Sequence, residues 1–145
     1  MRIPALALAL GLAVAAPAVA APTNAPISEV VVTIGPKLAD KAKDYGAREL
    51  DFLANELKSD AERALQRDGR LQPNGGRIEL VITDAKPNRP TMEQMTKKPG
   101  LSLQSRGIGG ASIEGVEVGP GGERRAIAYS WYESDFRNTR AASTW

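Results

Sequence analysis

The chain has no cysteine and no histidine. Without cysteine it has no disulfide, no thiolate nucleophile and no thiol to carry a lipid behind a leader peptide. Without histidine a Ser-His-Asp triad is excluded, and zinc and copper sites lose their usual ligands. No metal site and no cofactor is expected. The excess of one charge sign is small too: 19 basic residues face 17 acidic ones, for a net charge of +2. Lys97-Lys98 and Arg124-Arg125 are the basic pairs, and both read as solvated surface. A nucleic-acid binder would need a clustered basic face, so no nucleic-acid partner is expected. Aromatic residues make up only 5% of the chain, and Tyr129, Trp131 and Tyr132 form their densest cluster.

Long apolar runs are confined to the N-terminus. Met1-Arg2 is a short basic start, Ile3 to Ala16 is rich in Ala and Leu, and Ala18-Val19-Ala20 has the small-x-small form of a cleavage site. Residues 1–20 therefore read as a secretory signal peptide, too short in its apolar part for a membrane span of about 20 residues. The expectation is an exported protein, periplasmic or secreted, with no integral span once the signal is cleaved. Residues 21–28 read as a flexible lead-in and residues 29–133 as one α+β domain.

Within that domain, Glu29–Ile34 reads as a strand. Its apolar residues fall on both faces, as in the centre of a sheet. Lys37–Asp44 reads as a loop or short turn. Ala47–Asp68 is the longest helical stretch: Leu50, Leu53, Leu57, Ala61, Ala64 and Leu65 make one apolar stripe, and Gly69 is placed to cap it. Arg77–Thr83 is a second strand, which makes a βαβ pattern with a parallel pair. Asp84–Pro90 is a loop stiffened by two prolines. Thr91 to Gln94 fits a Thr-x-x-Gln capping box that opens a short helix to about Lys97. Gly109–Tyr132 reads as a β-hairpin turning at Gly119-Pro120-Gly121-Gly122. The expected fold is thus one mixed sheet of three to four strands with one long helix packed on one face.

The outgoing arm of the hairpin changes phase between Ala111/Ile113 and Val116/Val118, and a β-bulge at Glu114-Gly115 is the expected repair. The return arm has a large face (Ile127, Tyr129, Trp131) and a small face (Ala126, Ala128, Ser130), with Tyr132 at the end of the latter. Burial tendency favours the large face as core. The alternative makes Trp131, Tyr129 and Tyr132 a binding surface, where such residues are enriched. Asn88 and Arg89, held extended in the Pro-rich loop, are the polar contacts added to that surface. After Glu133 the chain becomes polar, and 134–145 reads as a tail whose Ser143-Thr144-Trp145 ending resembles the entry to a helix.

Other chemistry is thinly marked. Each glycine cluster precedes a strand, whereas a phosphate loop follows a strand and opens a helix, so no nucleotide site is expected. Asp84 after a strand is a candidate carboxylate for hydrolysis, with Glu93 or Asp135 as partner acid. The plainer expectation has Asp84 bonding amides of its own loop and pairing with Arg89.

The order of strand, long helix, strand, Pro-rich loop and hairpin behind a signal peptide resembles small bacterial envelope domains. These include accessory lipoproteins of transport systems and activators of penicillin-binding proteins. The resemblance rests on Glu29–Ile34, Ala47–Asp68, Ile78–Thr83 and Gly109–Tyr132. It implies a non-enzymatic exported domain that binds another envelope component. A small-ligand carrier with a pocket between helix and sheet is the alternative, the room being made by Ala126, Ala128 and Ser130. A carboxylate-dependent hydrolase is the third.

Overall fold

The computed structural model describes residues 24–140 and 143–145, so the leader expected at 1–20 lies outside the described residues. One mixed sheet runs in the order β1-β2-β3-β4, with β1 at Ile27–Ile34, β2 at Gly76–Lys86, β3 at Gly110–Val118 and β4 at Arg124–Tyr132. β1 and β2 are parallel, while β2–β3 and β3–β4 are antiparallel. Between the parallel strands lie two single-turn helices, α1 (Pro36–Ala39) and α2 (Ala42–Tyr45), and the long α3 (Ala47–Arg67). A short α4 (Met92–Lys97) precedes the hairpin. The fold is α+β, as the pattern of elements predicts.

The apolar stripe of α3 lies on the sheet. Leu65 packs with Ile27, Val30, Ile78 and Leu80, with Leu57, Ala61, Ile113 and Ile127 at the margin of this cluster. A second cluster joins Leu50 of α3 to Leu38, Ile82 and Ala85. Asp68 caps the helix, and Gly69 takes the left-handed backbone (φ 67°) that lets Arg70 N–H return to the Leu65 carbonyl at 2.8 Å. The capping box of α4 is present in full: Thr91 Oγ1 accepts from Gln94 N–H and Gln94 Oε1 accepts from Thr91 N–H.

Several boundaries differ from expectation. β1 begins at Ile27, and the Ala25 and Pro26 carbonyls accept bonds from Arg70 Nε and Gly76 N–H, so the described part of the lead-in is tied to the domain. β1 is an edge strand rather than a central one, which leaves Val31 37% exposed. Residues 37–44 are not a simple loop: Pro36 opens α1 at its first position, and Gly46 (φ 92°) separates α2 from α3. β2 continues through Asp84, Ala85 and Lys86.

The bulge is also elsewhere. β3 and β4 pair without interruption, so there is none at Glu114-Gly115. The irregularity lies in β2, where Ile82 pairs with Ile113 and Asp84 with Ser112, leaving Thr83 as the extra residue. This shift turns Ala85 into the core in place of Asp84. Gly115 answers a different need: a Cβ there would overlap the Glu79 carbonyl oxygen.

With no bulge in β3, Glu117 takes the core phase, where it is 3% exposed. Its carboxylate accepts from Arg70 at 2.7 Å and also from Arg125. Arg125 is therefore one of three members of a largely buried charge cluster and not simply solvated surface. The C-terminal segment is likewise part of the fold. It forms a 3-10 turn at Phe136–Arg140, and Trp145 packs on the second core cluster with its ring edge-on to Tyr45 at 5.7 Å. Among the described residues no helix is long and apolar enough to cross a membrane.

Candidate functional site

α3 is centred over β1 and β2, and this leaves the same side of β4 largely uncovered. Register fixes which residues stand there. Ile127 pairs with Gly115, Tyr129 with Ile113 and Trp131 with Ala111. Ile113 and Ala111 border the two core clusters, so Ile127, Tyr129 and Trp131 all lie on the helix side of the sheet. Only Ile127 reaches the core. Tyr129 is 56% exposed and Trp131 52% exposed, so the expectation that these two rings are core does not hold. They stand two residues apart on one strand, about 7 Å, and form a continuous aromatic step beside Ile127.

Tyr132 is separated from them by the alternation of the strand. It lies on the opposite side of the sheet in a polar row. Tyr132 Oη donates to Asp84 Oδ2 at 3.2 Å and lies 3.3 Å from Ser112 Oγ, which is 2.8 Å from Ser130 Oγ. Lys41, between α1 and α2, donates to Asp84 Oδ1 at 2.5 Å. It can reach because β1 has ended at Ile34, opposite Ile82, and exposes this stretch of β2.

The Lys41 ammonium, followed by the Tyr132 hydroxyl, holds the Asp84 carboxyl below its ordinary range, while partial burial opposes the shift. Asp84 in return raises Lys41. Burial pushes the Tyr45 phenol up. Asp84 thus bonds Lys41 and Tyr132, in place of its own loop's amides or Arg89. A carboxylate held as an anion in this way is a poor proton donor near neutral pH.

The pair carries a pH signature. A depressed carboxyl contributes stability above its unfolded pKa of 3.8 and loses it as pH falls through the lower folded value. Because both groups are partly solvated, Asp84→Asn is expected to cost about 1 kcal/mol or less at pH 7. Urea midpoints of variant and parent should converge as pH falls below the depressed folded value, where the parent carboxyl is protonated too.

Asn88 and Arg89 are not brought to the aromatic step. Asn88 Oδ1 accepts from Gly109 N–H at 3.0 Å, and Asn88 N–H donates to the Thr144 carbonyl at 2.8 Å. Arg89 donates to the carbonyls of Leu103 and Arg140 at 2.8 and 3.1 Å. Both residues bind the Pro-rich loop to the C-terminal segment, and they line a shallow groove shared with Tyr45 and Gln94.

One surface was not foreseen. Met92, Met95 and Leu103 flank an open groove of about 730 Å³ beside α4, with Met92 and Leu103 each 63% exposed. The spacing of Met92 and Met95 within the capping-box helix is the signal that points to it. Among the described residues, no cluster of three or more carboxylates stands ready to hold a metal ion.

Fold and surface together define an α+β domain whose sheet is half covered by its helix. Comparison with known protein families, with curated proteins and with solved structures finds no match.

Proposed function

We propose that this chain is an exported, non-enzymatic domain that binds another component of the cell envelope through the helix side of β4. The observation that carries this is the half-exposed Tyr129–Trp131 step, adjoining the core at Ile127 on the part of the sheet beyond α3. Large aromatic rings left in water beside a packed core are the usual anchors of an interface. Covering them would remove roughly 200 Å² of aromatic surface, or about 5 kcal/mol gross. Export rests on the signal-like residues 1–20.

The carrier alternative has less support. Ala126, Ala128 and Ser130 alternate with the helix-side residues of β4, so they line the sheet face away from α3 and make no room beneath it. The hydrolase alternative is weaker again, since the Asp84 carboxylate is paired with Lys41.

In a pull-down from detergent-extracted envelope, Trp131→Ala should lower recovery of the bound component about 30-fold or more, the weight of an interface hot spot. Asp84→Asn should leave recovery unchanged. Equal recovery by parent and Trp131→Ala would remove the aromatic step from the account.

A further inference from the structure

We infer that β4 is also a self-association edge: two copies pair their β4 strands antiparallel about Ala128. β4 is nine residues long, stands at the end of the sheet and pairs with β3 without a bulge. Natural sheets usually blunt such edges with proline, bulges or short strands. The opposite edge is treated in that way, because β1 is bracketed by Pro26 and Pro36 and its register breaks between Ile27 and Glu29. β4 has no proline, bulge or short length to blunt it, and its two charges, Arg124 and Arg125, are confined to one end.

The backbone fixes which groups are available. At one end of the hairpin Gly119 N–H bonds the Glu123 carbonyl, and at the other Glu133 N–H bonds the Gly109 carbonyl. Hydrogen-bonded and non-bonded pairs alternate along an antiparallel ladder. The odd-numbered residues of β4 therefore bond to β3. Arg124, Ala126, Ala128, Ser130 and Tyr132 turn both N–H and C=O outward. No other backbone segment among the described residues bonds to them.

Symmetry then restricts the register. Paired residues of one sheet share a face, so a two-fold axis normal to the sheet pairs outward residues with outward residues. Centred on Ala128, Arg124 meets Tyr132 of the second copy, Ala126 meets Ser130, and Ala128 meets itself. On the helix side Arg125 meets Trp131 and Ile127 meets Tyr129. Each cation is set against an aromatic ring and each small residue against a small one. A parallel arrangement would set arginine beside arginine. A shift of two residues either way would lose an outward pair at the strand end.

The chain has no cysteine, so an introduced thiol can couple only to its own copy. In the proposed register the two Ala128 Cα atoms lie about 5.5 Å apart, within disulfide reach, whereas the two Ala126 positions lie about 14 Å apart. The test uses the full chain in the form the cell accumulates. Sedimentation velocity should show a concentration-dependent monomer–dimer equilibrium. On mild oxidation, Ala128→Cys should couple at least ~10-fold faster than Ala126→Cys.

Ala128→Pro removes an outward N–H and leaves the β3 ladder intact, so it should hold the chain monomeric with an unchanged circular dichroism spectrum. Should that variant lose its fold, Ala128→Lys, which sets two ammonium groups against each other at the axis, serves instead. A chain monomeric at every concentration overturns the inference. So does equal coupling at both cysteines, or dimerisation that survives a folded disrupting variant. Trp131 also stands at this seam, so the envelope pull-down is repeated with Trp131→Ala in the folded monomeric variant, which separates the two readings.

Discussion

Glu117→Ala is expected to destabilise the domain by about 3–5 kcal/mol, the cost of leaving buried charge uncompensated. Glu117 is 3% exposed, and its two carboxylate oxygens serve Arg70 and Arg125, whose side chains are 17% and 21% exposed. Arg70 stands just past α3, and it also bonds the Ala25 carbonyl and, through its own carbonyl, Ile27 N–H. The carboxylate thus joins the end of α3, the start of β1 and the β3–β4 ladder. Its removal leaves two guanidinium groups side by side on the helix side of the sheet without their shared carboxylate. Arg125→Met should cost less, because Glu117 keeps Arg70. Equilibrium urea unfolding followed by circular dichroism reads both effects. A loss below about 1 kcal/mol for Glu117→Ala would show the cluster to be solvated in solution.

Leu38→Ala is expected to cost about 2–5 kcal/mol, as for a leucine removed from a packed core. Leu38 has no exposed surface, although α1 is a single turn. Pro36 sets the turn, and Gly35 N–H fastens it to β2 through the Ile82 carbonyl at 2.9 Å. Leu38 then fills the space between Leu50, Ile82 and Ala85. Phe52→Ala provides the contrast. Phe52 is larger, yet it is 54% exposed on the outer face of α3, and its loss should stay within about 0.5 kcal/mol. The same urea titrations would reveal any reversal of that order, which would mean that α1 is not docked.

The elements legible in the sequence are those specified by neighbours. The leucine spacing of α3, the Thr91–Gln94 capping box and the Gly-Pro-Gly-Gly turn each depend on a few adjacent residues, and each stands where it was read. The parts that were not legible depend on distant partners. α1 and α2 are too short to show a period, and Leu38 is core only because Ile82 and Ala85 meet it. The phase change in β3 reads as a bulge because Val116 and Val118 are the apolar residues of that half of the strand, whereas the residue that is buried there is Glu117. Its burial depends on Arg70, which is remote in sequence and brought near by the crossover. The actual bulge at Thr83 hides in a run of apolar residues, where alternation carries no contrast. The aromatic cluster was visible as a cluster, but its exposure depends on how far α3 reaches across the sheet. Asn88 and Arg89 were singled out as loop residues, and their partners at Gly109, Leu103, Arg140 and Thr144 could not be read locally.

Site-specific photo-cross-linking in intact cells tests the aromatic step most directly. A photoreactive phenylalanine replaces Trp131 in one variant and Phe52, equally exposed on α3, in another. The account predicts a cross-link from position 131 to a different envelope component and none from position 52. No product at 131, the same products at both positions, or products at 131 containing only this chain would contradict it.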